Sequence, residues 1–153
     1  MEIQSLTKVY INTNTHLQYM DQYLKPGASL QRLFDDYQKY GSISVGFDFD
    51  NTVYDYHKQG HTYDMVIQLL KDLHSIGCKL ICWTANDNIE NVINYLESKE
   101  IPFDGINTDG IALPWKPRKA FFSALLDDRA GLIQVYNELR KFCDTVMNAK
   151  VQA

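Results

Sequence analysis

Two groups of acids stand far apart in this chain: Asp48 and Asp50 in Phe47-Asp48-Phe49-Asp50-Asn51-Thr52, and Asp127-Asp128 in Leu125-Leu126-Asp127-Asp128-Arg129. Between them, Thr84 follows the apolar run Leu80-Ile81-Cys82-Trp83. A cluster of carboxylates suits a hard cation with oxygen ligands, Mg2+ best of all. The cation would neutralise a phosphate that the acids alone would repel. A carboxylate beside such a cation can attack phosphorus and form an aspartyl-phosphate. A second carboxylate two residues on can protonate the leaving oxygen and then activate water. Thr84 and a lysine can hold the phosphoryl oxygens.

For this chemistry the residues must meet, and the surrounding pattern predicts that they do. Ser42 to Asp48 reads as a strand, with Ile43, Val45 and Phe47 alternating. After a polar loop, Met65, Val66, Leu69, Leu70, Leu73 and Ile76 form a helical stripe stopped by Gly77. Lys79 to Thr84 is a short apolar strand of the buried parallel kind. Ile89, Val92, Ile93 and Leu96 give a further helix, ended before Pro102, and Phe103 to Asn107 a short strand. Thr108 to Lys119 carries two prolines and reads as a loop, Ser123 to Leu126 as a strand, and Leu132 through Val146 as a long final helix. Alternating strands and helices imply a parallel sheet covered on both faces. Ligands bind such sheets at the carboxyl ends of the strands, where Asp48, Asp50, Thr84, Asp127 and Asp128 all fall.

The chain of 153 residues fits one domain. Residues 1–41 read as a helical extension packed on the core, and residues 42–153 as the core itself. In the extension, a short helix is expected around residues 15 to 24, ended by Pro26-Gly27. A second follows, capped by Ser29, with Leu30, Leu33, Phe34 and Tyr37 on its apolar face. No apolar run approaches the ~20 residues of a membrane span, and the N-terminus lacks a secretion signal, so a cytoplasmic protein is expected. Cys78, Cys82 and Cys143 form no Cys-x-x-Cys pair and read as buried thiols. The net charge of −4 argues against a broad nucleic-acid surface, yet permits a local cationic pocket from Lys116, Arg118, Lys119 and Arg129.

Asp-Phe-Asp-Asn-Thr after an apolar strand resembles motif I of the haloacid dehalogenase (HAD) superfamily. Thr84 after Leu-Ile-Cys-Trp resembles motif II, and Leu125-Leu126-Asp127-Asp128-Arg129 motif IV. Their order matches the family over about residues 42 to 135. The resemblance implies a three-layer Rossmann-like α/β core, with Asp48 as nucleophile and Asp50 as acid/base. It further implies a Mg2+ held by Asp48, the Asp50 carbonyl and Asp127, with Asp128 direct or one step removed. Family members that are dehalogenases or ATP-driven pumps lack an acid at the second aspartate, so Asp50 favours phosphatase or phosphotransfer chemistry.

Lys119 precedes the acid pair by eight residues, as in small phage and bacterial proteins that resemble this family, and is favoured as the phosphoryl-binding lysine. Lys116, with a proline after it as in those proteins, is the competitor. The intervals from Thr52 to Thr84 and from Thr84 to Lys119 leave no room for a large cap domain. Specificity then falls to Tyr54, Tyr56 and His57 after motif I, and to Trp115 and Arg118 before the lysine. An aromatic face near a guanidinium suggests a nucleotide or a nucleic-acid end as the phosphorylated partner. For Trp115 a packing role weighs equally, and His57 and His61 are first of all ordinary loop histidines. Oligomerisation is left open. A response-regulator receiver is disfavoured because its acid pair comes first in the chain. A non-catalytic phosphate-binding or interaction module is disfavoured by Asp50.

Overall fold

The computed structural model describes residues 21–116 and 118–153. The helix expected around residues 15 to 24 lies mostly outside them; its described part is a single 3-10 turn, Gln22–Leu24. Helix α1, Ala28–Tyr40, follows. Its N-terminus is set by Gly27 in a left-handed conformation, not by Ser29 as the sequence suggests. The Ser29 hydroxyl instead donates to Glu138 Oε1 at 2.7 Å, tying α1 to the last helix.

The remaining elements are β1 Ser44–Phe47, α2 Asp64–Ser75, β2 Lys79–Cys82, α3 Ile89–Ser98, β3 Gly105–Ile106, β4 Ala124–Leu126 and α4 Leu132–Gln152. The four strands form one all-parallel sheet in the order β3-β2-β1-β4. β1 and β2 are central, as their buried runs require. The fold is thus α/β and Rossmann-like, and the described residues contain no large cap. No described helix is long and apolar enough to cross a membrane.

The two faces of the sheet are covered differently. Val45, Phe47, Leu80, Cys82, Ile106, Ala124 and Leu126 share one face, and all belong to one core with residues of α1, α2, α3 and α4. Consecutive right-handed crossovers in one direction explain why α2 and α3 lie on the same side. In α1, Leu33 is buried, and Phe34 and Tyr37 pack on Phe142 of α4 at centroid distances of 5.3 and 5.5 Å. Arg140 of α4 bonds Asp72 of α2 at 2.7 Å and Asp144 at 2.6 Å.

The opposite face carries Ser44, Gly46, Ile81 and Gly105, and its cover comes from the crossover between β3 and β4, whose described residues, 107–116 and 118–123, are irregular. The contact is close. A Cβ on Gly46 would meet the Phe122 ring at 2.9 Å, and one on Gly110 would overlap Ser44 Oγ. The third layer is therefore a proline-bearing segment where related architectures place a helix. It buries Ser44 as fully as its apolar neighbour Val45, as expected of a sheet covered on both faces.

Candidate active site

The hydrogen-bond ladder of the sheet continues one residue past the strands and sets their carboxyl ends level. Asp48 N donates to Leu126 O at 2.8 Å, Trp83 N to Phe47 O at 2.8 Å, and Asn107 N to Cys82 O at 2.8 Å. The chain then turns sharply after β1. Val53 N and Tyr54 N both donate to Phe49 O, while Asn51 takes a positive φ of 57°. Phe49 and Val53 are buried. The apolar residue between the two aspartates thus pins the turn into the core, and Asp48 and Asp50 line the cleft outside.

That cleft, about 1020 Å³, is lined among others by Asp48, Asp50, Thr84, Asp127, Asp128 and Arg129. Asp48, Asp127 and Asp128 can each offer a carboxylate oxygen, all within 4.8 Å of one another. Burial, and after it the charges of Asp127, Asp128 and Asp50, push the Asp48 carboxyl up to about 6, against the lowering effect of the Phe49 backbone. Asp50 is also raised, chiefly by burial, with the Asn86 side chain opposing. Its Oδ1 is buried without a hydrogen-bond partner. Such a crowd of carboxylates is under-compensated within the protein alone.

Two further contacts hold the strand ends in register. Thr52, fully buried, accepts from Asp128 N through Oγ1 at 3.2 Å, joining the turn after β1 to the loop after β4. Asn107 clamps Thr84 from both sides: Oδ1 accepts from Thr84 N at 2.8 Å, and Nδ2 donates to Thr84 O at 2.9 Å. Thr84 Oγ1 accepts from Asn86 N at 3.1 Å, which leaves the hydroxyl proton for a ligand oxygen. Sequence reasoning gave Asn107 no role. The available signal was an Asn just past a short strand, since Asn tolerates the positive φ of 52° found there. We expect Asn107→Ala to lower stability by about 2 kcal/mol, through two lost bonds and a strained backbone. Denaturant melts check this; an unchanged midpoint would show that the clamp does not hold the strand ends.

The structure distributes the remaining predicted residues unevenly. His57 lines the cleft, as does Tyr56, and the two rings meet edge to face. Tyr54 is placed inward: it stacks on Phe49 at 4.9 Å and meets Tyr95, whose hydroxyl donates to Val53 O. Its ring serves packing because the tight turn directs it back to the core. Trp115, Lys116, Arg118 and Lys119 are exposed on the crossover segment and do not border the cleft. Arg129 is the lone Lys or Arg on the cleft lining among the described residues. Trp83, which continues the apolar run Leu80-Ile81-Cys82, borders it too. Asp55 orders the loop after β1 by accepting from Gly60 N and His61 N.

No family model matches this chain, and no curated protein matches it. Among solved structures it is similar to a conserved protein from Bacteroides thetaiotaomicron, at 21% identity and a TM-score of 0.52, over 65% of this chain and 91% of that one. A protein from Vibrio cholerae matches at 18% identity and a TM-score of 0.43, over 67% and 98% of the two chains. The first likeness supports the fold and carries nothing about activity.

Proposed function

We propose that the chain is a Mg2+-dependent phosphohydrolase of the HAD type that cleaves a phosphomonoester through an aspartyl-phosphate on Asp48. The observation that carries this reading is the convergence of Asp48, Asp127 and Asp128 within 4.8 Å, with Asp50 bordering the same cleft at the carboxyl edge of the sheet. The donor set is all oxygen and in excess of negative charge, which fits Mg2+. Asp48, Asp127 and Asp128, with the Asp50 carbonyl, are the groups that would hold it. When bound, it would supply charge neutralisation for the phosphoryl oxygens.

In the first half-reaction an Asp48 carboxylate oxygen attacks phosphorus. The bond to the ester oxygen breaks, and Asp50 gives that oxygen its proton. Burial, which raises the Asp50 carboxyl, favours the protonated form this step needs. In the second, Asp50 as carboxylate takes a proton from water as the water oxygen attacks the aspartyl-phosphate. Phosphate leaves, and both acids return to their starting states. Thr84 donates its hydroxyl proton to a phosphoryl oxygen throughout.

Trp115 and Arg118 do not border the cleft, so the nucleotide and the nucleic-acid end are two substrate classes to be separated by experiment. The test is phosphate release by the purified chain with Mg2+ from phosphorylated metabolites, nucleotides and 5′- or 3′-phosphorylated DNA. No release from any of them would leave the phosphohydrolase reading without support. Neither Lys116 nor Lys119 borders the cleft, so Lys119→Ala and Lys116→Ala are each expected to leave kcat/KM within a few-fold of wild type. A loss on the order of 10²-fold in either variant, the scale of one preorganised electrostatic contact, would return the phosphoryl-binding role to that lysine.

A further inference from the structure

The cleft contains more than the reacting groups. Trp83 follows the last residue of β2, is 38% exposed, and borders the same cleft as the carboxylates. Its backbone N–H is fixed on Phe47 O, and its ring meets that of Phe122 of the crossover segment at 5.6 Å with the planes inclined at 68°. An indole restrained in this way and still more than a third exposed can take a ligand at little entropic cost. Tyr56, 56% exposed, borders the cleft from the loop after β1. In sheet order β1, with Asp48 at its end, lies between β2, which leads to Trp83, and β4, which leads to Arg129.

From this arrangement we propose that the substrate is a nucleoside monophosphate, and that Trp83, assisted by Tyr56, is the platform for its base. The proposal rests on the phosphohydrolase reading and specifies its substrate. Aromatic side chains bind bases through their π-faces, and a planar base is the group that profits from such a wall. Arg129 limits the ligand to one phosphate. It is the only Lys or Arg lining the cleft among the described residues, and it shares that lining with five aspartates, Asp48, Asp50, Asp87, Asp127 and Asp128. A second or third phosphate, or a nucleic-acid backbone, would meet that acidic wall without compensation.

The experiment uses the full chain carrying Asp50→Asn, which keeps the three converging carboxylates of Asp48, Asp127 and Asp128, with Mg2+ present, and measures binding by calorimetry. Adenosine 5′-monophosphate is expected to bind about tenfold or more tightly than ribose 5-phosphate, the gain a stacked base supplies. Adding Trp83→Ala should collapse that ratio towards one, and Trp83→Phe should restore part of it, which a purely structural role for the ring would not do. Equal affinity for the two ligands, no binding of either, an unchanged ratio in Trp83→Ala, or collapse with Trp115→Ala instead would each overturn the proposal. So would a 5′-phosphorylated oligonucleotide that binds more tightly than the mononucleotide. Because the readout is binding to a hydrolysis-deficient variant, it is independent of turnover. A wild-type chain that binds the mononucleotide selectively yet releases no phosphate would refute the hydrolase reading and leave the base platform standing.

Discussion

Asp48→Asn is expected to abolish turnover and, in the same protein freed of divalent metal, to raise the melting temperature at pH 7. The first effect follows from the proposed chemistry. An amide cannot form the acyl-phosphate, so the loss should be on the order of 10⁴-fold or more, as for other covalent nucleophiles. The second follows from electrostatics. The Asp48 carboxyl titrates near 6 in the folded chain, against 3.8 ordinarily, because burial and three neighbouring aspartates oppose its charge. Below pH 3.8 the group is protonated folded and unfolded alike and costs nothing. Between the two values the folded chain holds the extra proton, so stability falls as pH rises, and the full cost is present above about pH 6. Allowing for the partial exposure of the group, that cost is on the order of 2 kcal/mol. The neutral amide escapes it. A gain of about 4–8 °C over wild type at pH 7 in EDTA is expected, shrinking towards pH 4. Equal melting temperatures across that range would remove the electrostatic account. Near-normal hydrolysis would remove the nucleophile.

Removing the metal from the wild-type chain should have the next largest effect. EDTA is expected to eliminate phosphate release, and added Mg2+ to restore it. The same ion should stabilise the fold without any substrate: at a hundred times its dissociation constant, binding to the folded state alone contributes about 2.7 kcal/mol. Mg2+ should therefore reverse the order of stability, raising wild type and leaving Asp48→Asn nearly unmoved. Asp127→Asn should need on the order of tenfold more Mg2+ or greater for half its response, because one of three converging carboxylates is lost. Hydrolysis that persists in EDTA, or a Mg2+ response undiminished in Asp127→Asn, would place the cation elsewhere or dispense with it.

Much of the frame that supports these expectations is legible in the sequence. Ile43, Val45 and Phe47 alternate because they share the sheet face that all four helices cover. The stripe from Val66 to Leu73 marks the buried side of α2. Even there the pattern is imperfect, since Met65 at the first turn is half exposed. The acids are legible as strand ends because apolar runs stop immediately before them. What periodicity does not carry is direction within irregular backbone. Tyr54 and Tyr56 are two residues apart in a turn, and backbone bonds to Phe49 send the first into the core and leave the second outside. The helix start at Gly27 rather than Ser29 depends on a left-handed backbone conformation that glycine adopts without a Cβ penalty, a preference that competes with the capping preference of serine. The partners of Asn107 are hidden for a related reason: an Asn just past a short strand hints at a special backbone, but both its partners are main-chain atoms of Thr84, and a main chain leaves no mark in residue types.

The split between a helical face and an irregular face bears on the order in which the site is built. β2 joins β3 across a separation of about 24 residues, and β1 joins β2 across about 35, each through one helix. β4 reaches β1 across 79 residues, and the last stretch of that path, between β3 and β4, has no helix among its described residues. Closing that longest loop carries the largest entropy cost in the sheet, and only three residues of β4 repay it. Asp48 and Thr84 thus belong to the part of the chain that assembles locally, whereas Asp127 and Asp128 arrive with the last strand. A chain that refolds in this order would form the three-carboxylate cluster only when β4 docks, so a cation held there would be captured in the final step of folding rather than in the first collapse.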